Sequence, residues 1–308
     1  MHPGGHDAHE QPPRPNRKSP QTGRTARRSE SAPKDAPAPR KRRPQPVHDK
    51  PAGWNPQAQW YDELVGQHGS DHHQHVILPA VLRLLGPLRP ADRLLDLCCG
   101  QGILARALAE AACLPEYVGV DASPALIARA RERSGDLPAC SFRVGDARRL
   151  SSLQMGRFSH AACILALHDL DPMDPVFAGL AAHLRPGGRA VCVVMHPAFR
   201  IPRQARYRWD PERRIQTREI DAYLTPVRIN IVNNPGAAAA GARPKTNPYY
   251  HRPLAAYINT AARSGLLLCA MEELSTHRRV QAGERAAAEN HAREQFPMFL
   301  AMAFRATA

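Results

Sequence analysis

No run of 18 apolar residues occurs in this chain of 308, so no stretch has the length of a membrane-crossing helix. The opening residues, MHPGGHDAHE, have no apolar centre and are not expected to act as a secretory signal. Cysteine supplies no framework. The seven cysteines, at 98, 99, 113, 140, 163, 192 and 269, include no C-x-x-C pair, and their number is odd. They read as small buried hydrophobes in a reducing, cytoplasmic setting, not as disulfides or zinc ligands. Large apolar residues are nearly missing from residues 1–52. A segment so poor in them cannot offset its ordering entropy, so a disordered, Pro-rich tail is expected there. No internal repeat is evident.

What is present is positive charge, unevenly placed. Residues 1–52 hold 12 Lys+Arg against 5 Asp+Glu, and residues 196–252 hold 11 against 4, so each segment carries +7 of the net +14. The rest is close to neutral, so electrostatic arguments about partners concern these two segments. The cluster PRKRRP at 39–44 could grip nucleic acid; the reading as a solvated tail is preferred.

From Trp54 onward the pattern is that of a folded domain, residues 53–308. Apolar residues fall at helical spacing over 57–66 and 75–86. Strands are then expected at 92–98, 117–122, 141–147, within 160–170 and at 189–196. Helices at 103–112, 124–133 and 175–184 separate them, and RPGG (185–188) is expected as a turn. Short strands apolar throughout, alternating with helices, imply an α/β, doubly wound, Rossmann-like sheet covered on both faces. Residues 197–250 break the rhythm with arginines and the coil signals NNPG and AAAAG. A helix at 251–265, a strand at 266–274, a helix at 281–295 and a final strand at 296–306 follow.

The stretch LLDLCCGQGILARAL (94–108) is a strand, a glycine turn and a helix start. Gly100 and Gly102 allow the turn and let a ligand approach bare backbone, and the helix N-terminus offers N–H donors to a negative group. Dinucleotides and S-adenosylmethionine both suit such a unit. Ala105 stands where the dinucleotide fingerprint has its third glycine, which leaves both open. Asp96 lies within the first strand, Asp121 ends the second and Asp146 ends the third. Three carboxylates at successive strand ends line one crevice, where open α/β sheets bind ligands.

With LLDLCCGQG, VGVDAS, VGDARRL and LRPGGR, residues 54–308 resemble the class I S-adenosylmethionine-dependent methyltransferases, in particular the bacterial type 11 group. The resemblance implies seven strands in the order 3-2-1-4-5-7-6, strand 7 antiparallel, with a substrate lid at 197–250 after strand 5. It implies that Gly100 and Gly102 back the methionine part of the cofactor, with Asp96 ordering the loop. Asp121 would hold the ribose, Asp146 and Ala147 the adenine, with Cys98, Ala122 and Leu165 beside them. Cys98 stands where that group usually has glycine. The segment 60–79 resembles a lead-in that folds over the cofactor, with Ser70 or His73 touching its carboxylate. The spacing of His68, His72, His73 and His75 fits no closed zinc site, so no metal is expected.

An activated methyl group needs alignment and exclusion of water, and a base only if the acceptor loses a proton. His168 and His196, after strands 4 and 5, are the candidate catalytic residues. Arg200, Tyr250 and His251 are the candidate substrate-binding residues. Arginines and aromatics in 197–250 suit an anionic or aromatic small molecule, or stacked RNA bases. ALHDLD after strand 4 is not the N-P-P-Y or D-P-P-Y of amino-methylating nucleobase enzymes, which counts against a nucleobase. The expectation is methyl transfer to a small molecule; the alternatives are an RNA or ribosomal-component methyltransferase using the tail and lid, and a cofactor-binding regulator without turnover.

Overall fold

The computed structural model describes residues 53–233, 239, 241 and 245–307. The tail expected at 1–52 and most of the NNPG–AAAAG stretch lie outside these residues.

A lead-in of α1 (Ala58–Val65), a π-helical turn (His73–Ile77) and α2 (Leu78–Leu85) precedes the sheet. The alternation then runs β1 (Arg93–Leu97), α3 (Ile103–Glu110), β2 (Glu116–Asp121), α4 (Pro124–Arg133) and β3 (Cys140–Val144). It continues through β4 (Phe158–Ile164), α5 (Asp174–His183) and β5 (Leu184–Met195). After an insertion come α6 (Leu254–Arg263), β10 (Leu266–Leu274), α7 (Ala286–Gln295) and β11 (Phe299–Ala306). The seven core strands lie in the order 3-2-1-4-5-11-10, with β11 antiparallel to both its neighbours. This is the expected seven-stranded order, β10 and β11 taking the places of strands 6 and 7.

The period of two explains why these runs are apolar throughout. Leu95 and Leu97 face one core with Val118, Phe158, Phe177 and Phe304, while Leu94 faces the other with Leu104, Tyr117 and Val191. Each such side chain, taken from water, contributes about 2 kcal/mol. The start of α4 is written locally: Ser123 Oγ accepts from Leu126 N at 3.2 Å and Pro124 fills the first helical position.

Two expectations are corrected. RPGG is not a turn outside the sheet; β5 runs continuously from Leu184, and the register against β4 jumps from Phe158↔Leu184 to His160↔Arg189. Gly187 has φ +75°, and a Cβ on Gly188 would meet Arg185 O at 2.8 Å, so the two glycines make the irregularity. The insertion is not coil. It holds two antiparallel hairpins, β6 (Ala205–Asp210) with β7 (Ile215–Ile220) and β8 (Val227–Val232) with β9 (Thr246–His251). No helix among the described residues is long and apolar enough to cross a membrane.

Candidate active site

The glycine loop joins β1 to α3 at the C-terminal edge of the sheet. Cys98, Gly100 and Gly102 all have left-handed φ, at +58°, +56° and +80°. Cys98 thus adopts the conformation a glycine would take there, at a cost of about 1 kcal/mol. Asp96 is buried and accepts from the Tyr117 hydroxyl. Burial pushes its carboxyl up to about 7, against the lowering effect of that hydrogen bond. Asp121 ends β2, and its Oδ2 accepts from Gly100 N at 3.0 Å and its Oδ1 from Ser123 N at 2.8 Å. One carboxylate therefore fixes both the glycine loop and the turn into α4, with Ala122 between them. Asp146 follows β3, caps the turn that Ala147 begins, and is gripped by Arg148 Nη2 at 2.8 Å. Leu165, just past β4, has φ +53° and donates its N–H to Val193 O at 2.8 Å. Two non-glycine residues in left-handed conformation at one sheet edge mark strain where a ligand is expected.

The lead-in lies over this edge. A Cβ on Gly100 would sit 3.2 Å from Tyr61 Cε1, so the glycine leaves room for that ring. Arg133 pairs with both Asp62 oxygens at 2.6 and 2.9 Å, tying α1 to α4. Arg106 Nε donates to Gln67 O at 2.9 Å, tying α3 to the loop after α1. Ser70 Oγ and His73 Nδ1 are 2.7 Å apart; burial lowers His73 to about 4, so its imidazole is neutral.

From Gly100 a run of contacts leads to the turn after β4. The Tyr61 ring packs edge-on against Trp54 at 5.3 Å, and Trp54 Nε1 donates to Asp169 Oδ2 at 3.0 Å. His168, next to Asp169, has Nε2 at 3.8 Å from Asp169 Oδ1 and its ring 5.0 Å from that of Tyr249 in β9. His168 Nδ1 is buried with no hydrogen-bond partner among the described residues. Burial lowers His168 to about 4, helped by Arg252, and raises Asp169 to about 7. Gln57 Nε2 donates to Asn247 Oδ1 at 2.8 Å, and Asn233 Nδ2 donates to Gln57 Oε1 at 2.8 Å, tying the lead-in to the β8–β9 hairpin. Sequence reasoning counted Tyr249 among the insertion aromatics but gave no site role to Trp54, Gln57, Tyr61, Tyr117, Asp169 or Asn247; the signal for Trp54 and Tyr61 was that they open the ordered region.

The other candidates are placed differently. His196 Nε2 contacts Glu273 Oε1 at 2.9 Å, and its Nδ1 accepts from Ala198 N and Phe199 N at 3.2 and 3.3 Å. Both nitrogens are engaged in holding the turn out of β5. Arg200 lies in the turn after β5, where its N–H donates to His196 O at 2.9 Å. The Tyr250 ring lies under Arg252 at 5.3 Å. His251 is buried, with Nε2 2.7 Å from Tyr223 O and Nδ1 unpartnered among the described residues. Several insertion arginines are occupied by neighbouring groups. Arg206 and Arg208 pair with Glu219, and Arg218 stacks on Tyr207 at 4.5 Å and donates to Phe199 O.

A seven-stranded sheet with one reversed strand, a glycine loop after β1 and buried acids at the ends of β1 and β2 define a Rossmann-like methyltransferase fold. A family profile described as "Methyltransferase domain" matches residues 94–188. The chain is 34% identical over 116 residues to a 2-phytyl-1,4-naphtoquinone methyltransferase of Synechococcus elongatus, covering 36% of this chain and 49% of that one. It is 32% identical over 161 residues to a demethylmenaquinone methyltransferase of Beutenbergia cavernae, covering 51% and 59%. The chain thus spans about half the length of the curated relatives it matches. A crystal structure of an S-adenosylmethionine-dependent methyltransferase from Mesorhizobium loti superimposes with a TM-score of 0.54 at 26% identity, over 78% of this chain and all of that one. Residues 94–188 thus match the methyltransferase-domain family, within a fold like that of S-adenosylmethionine-dependent methyltransferases.

The residues present are compatible with this cofactor: three left-handed positions, Cys98, Gly100 and Gly102, shape the loop, a Cβ on Gly100 would press on Tyr61 Cε1 at 3.2 Å, and one on Gly102 would press on Phe142 Cε1 at 3.0 Å, so the glycines keep the loop backbone free of side chains.

Proposed function

We propose that the chain transfers the methyl group of S-adenosylmethionine to a small-molecule acceptor held between the lead-in, the turn after β4 and the β8–β9 hairpin. The observation that carries this reading is His168. Its Nδ1 is buried without a partner, and contacts through Asp169, Trp54 and Tyr61 join it to the cofactor loop. A buried polar atom without a partner costs about 1–3 kcal/mol, and a bound acceptor hydroxyl or amine would remove that cost.

In this reading Gly100, Gly102 and Cys98 form the backbone cradle that Asp96 orders. Asp121 holds the ribose. Asp146 and Ala147 hold the adenine, with Ala122 and Leu165 alongside, and Ser70 and His73 meet the carboxylate. Bound S-adenosylmethionine supplies a methyl group on a sulfonium that leaves by in-line displacement. Trp54 and Tyr61 exclude water and fix the reacting geometry. His168 Nδ1 accepts the acceptor's proton, and Asp169 beside Nε2 stabilises the imidazolium that forms. His196 positions the turn that carries Arg200.

The acceptor is a planar aromatic molecule with an ionisable hydroxyl or amine. His168, Tyr249 and Trp54 offer it ring surfaces, and two relatives are named for methylating naphthoquinone-type substrates. Arg200, Tyr250 and His251 complete its surroundings, with Arg200 placed to meet an anionic group. The seven unpaired cysteines fit the cytoplasm. The test is transfer of tritiated methyl from S-adenosylmethionine into size-fractionated cell extract, with and without RNase. Label in the small-molecule fraction, unaffected by RNase, is expected. Label confined to RNase-sensitive material overturns the reading.

A further inference from the structure

The sequence places Asp71, His72 and His75 on one short segment, too few for a metal site. The fold adds His277, from the segment after β10. His277 Nε2 lies 3.0 Å from Asp71 Oδ1, and the His277 ring is 4.6 Å from that of His75 and 5.6 Å from that of His72. One donor atom each from Asp71, His72 and His277 lies within 4.8 Å of the others. His75 Nε2 is 3.8 Å from Asp71 Oδ1. Arg278 Nε holds the other oxygen, Oδ2, at 2.5 Å, which orients the carboxylate so that Oδ1 faces the imidazoles. His72 Nε2 contacts only the hydroxyl of Thr276, at 3.0 Å.

We propose that Asp71, His72 and His277, with His75 as a fourth donor, bind a divalent transition metal of the zinc type. Imidazole with carboxylate suits zinc and its neighbours; calcium and magnesium prefer oxygen, and no thiol belongs to the group. Zinc with nitrogen at about 2.0–2.1 Å needs donors roughly 3.3 Å apart, so the group contracts by about 1.5 Å or less. His277 is exposed, at the solvent side of the group. The consequence is mechanical. The metal cross-links segments 206 residues apart in sequence and fastens the lead-in, which carries the cofactor cover, to the far side of the sheet.

The test is thermal unfolding of the intact chain at pH 7.5 with zinc chloride or with magnesium chloride. A metal bound only by the folded state stabilises it by mass action, whereas ligands in a chain segment without a fold do not. At zinc about 100-fold above its Kd, Tm rises by about 5 °C or more. Magnesium gives no rise. His277→Gln and His72→Gln, each checked by circular dichroism for a wild-type spectrum, lose the zinc response. A zinc response absent from the wild type, or retained in full by both variants, overturns the assignment.

Discussion

Trp54 Nε1 donates to Asp169 Oδ2 across 3.0 Å, joining the lead-in to the turn after β4 over 115 residues of chain. This bond sets Trp54 as the wall between the cofactor loop and His168. It also partly offsets the burial that raises the Asp169 carboxyl to about 7. Removing the donor in Trp54→Phe lifts that pKa further. The pH–rate inflection of kcat/KM, expected near pH 7 from Asp169, then moves to higher pH. Asp169→Asn removes the inflection and lowers kcat by about 100-fold or more. Steady-state rates between pH 5 and 9 check both.

His168 gives a stability prediction with a definite sign. Its folded pKa of about 4 lies below the unfolded value near 6.5. The neutral buried ring therefore contributes stability fully present above pH 6.5 and lost as pH falls towards 4. The stability of wild type relative to His168→Gln declines over that window, by up to ~3 kcal/mol. Urea unfolding at pH 7 and pH 4.5 measures it.

Asp121 holds two backbone N–H groups, at Gly100 and Ser123. Asp121→Ala frees the glycine loop and, in the proposed reading, removes the ribose partner. S-adenosylhomocysteine binding should weaken by about 100-fold, roughly 3 kcal/mol, as charge-assisted hydrogen bonds are lost. Calorimetric titration reads the change.

Cys98 at φ +58° is tolerated, not preferred. Cys98→Gly relieves the backbone strain while giving up the packed thiol, so its unfolding free energy stays within about 1 kcal/mol of wild type. Cys98→Val puts a β-branched side chain at positive φ and loses roughly 2 kcal/mol. Denaturant midpoints for the two variants separate these effects.

The insertion arginines divide into two groups. Arg206 and Arg208 are exposed and paired with Glu219 across the β6–β7 hairpin, and such surface pairs contribute about 0.2–1 kcal/mol each. Arg206→Ala and Arg208→Ala leave kcat/KM within about twofold of wild type. Arg200→Ala raises KM for the acceptor with kcat nearly unchanged. Initial rates on the extracted acceptor decide between the two groups.

The sheet was legible because the centres of β1, β2, β4 and β5 carry consecutive buried apolar residues, and burial on both faces demands that. Asp96, Gly100, Gly102 and Asp121 were legible because strand, loop and helix follow one another directly. The hairpins of the insertion were not. Arg206 and Arg208 alternate with Tyr207 and Trp209, so the strand period was written in charge and aromatics, and no secondary structure was read there. Trp54 and Tyr249 were hidden for another reason: they come from separate segments, and only the tertiary fold brings Trp54 onto Asp169 and Tyr249 onto His168. RPGG misled because its glycines shape an irregularity inside β5 and do not end a ladder.

The most direct measurement is calorimetric titration of the intact chain with S-adenosylhomocysteine and, separately, with NAD. One equivalent of S-adenosylhomocysteine bound, with no heat from NAD, is the result that the glycine loop and its two buried acids predict. Binding of NAD without binding of S-adenosylhomocysteine would contradict it.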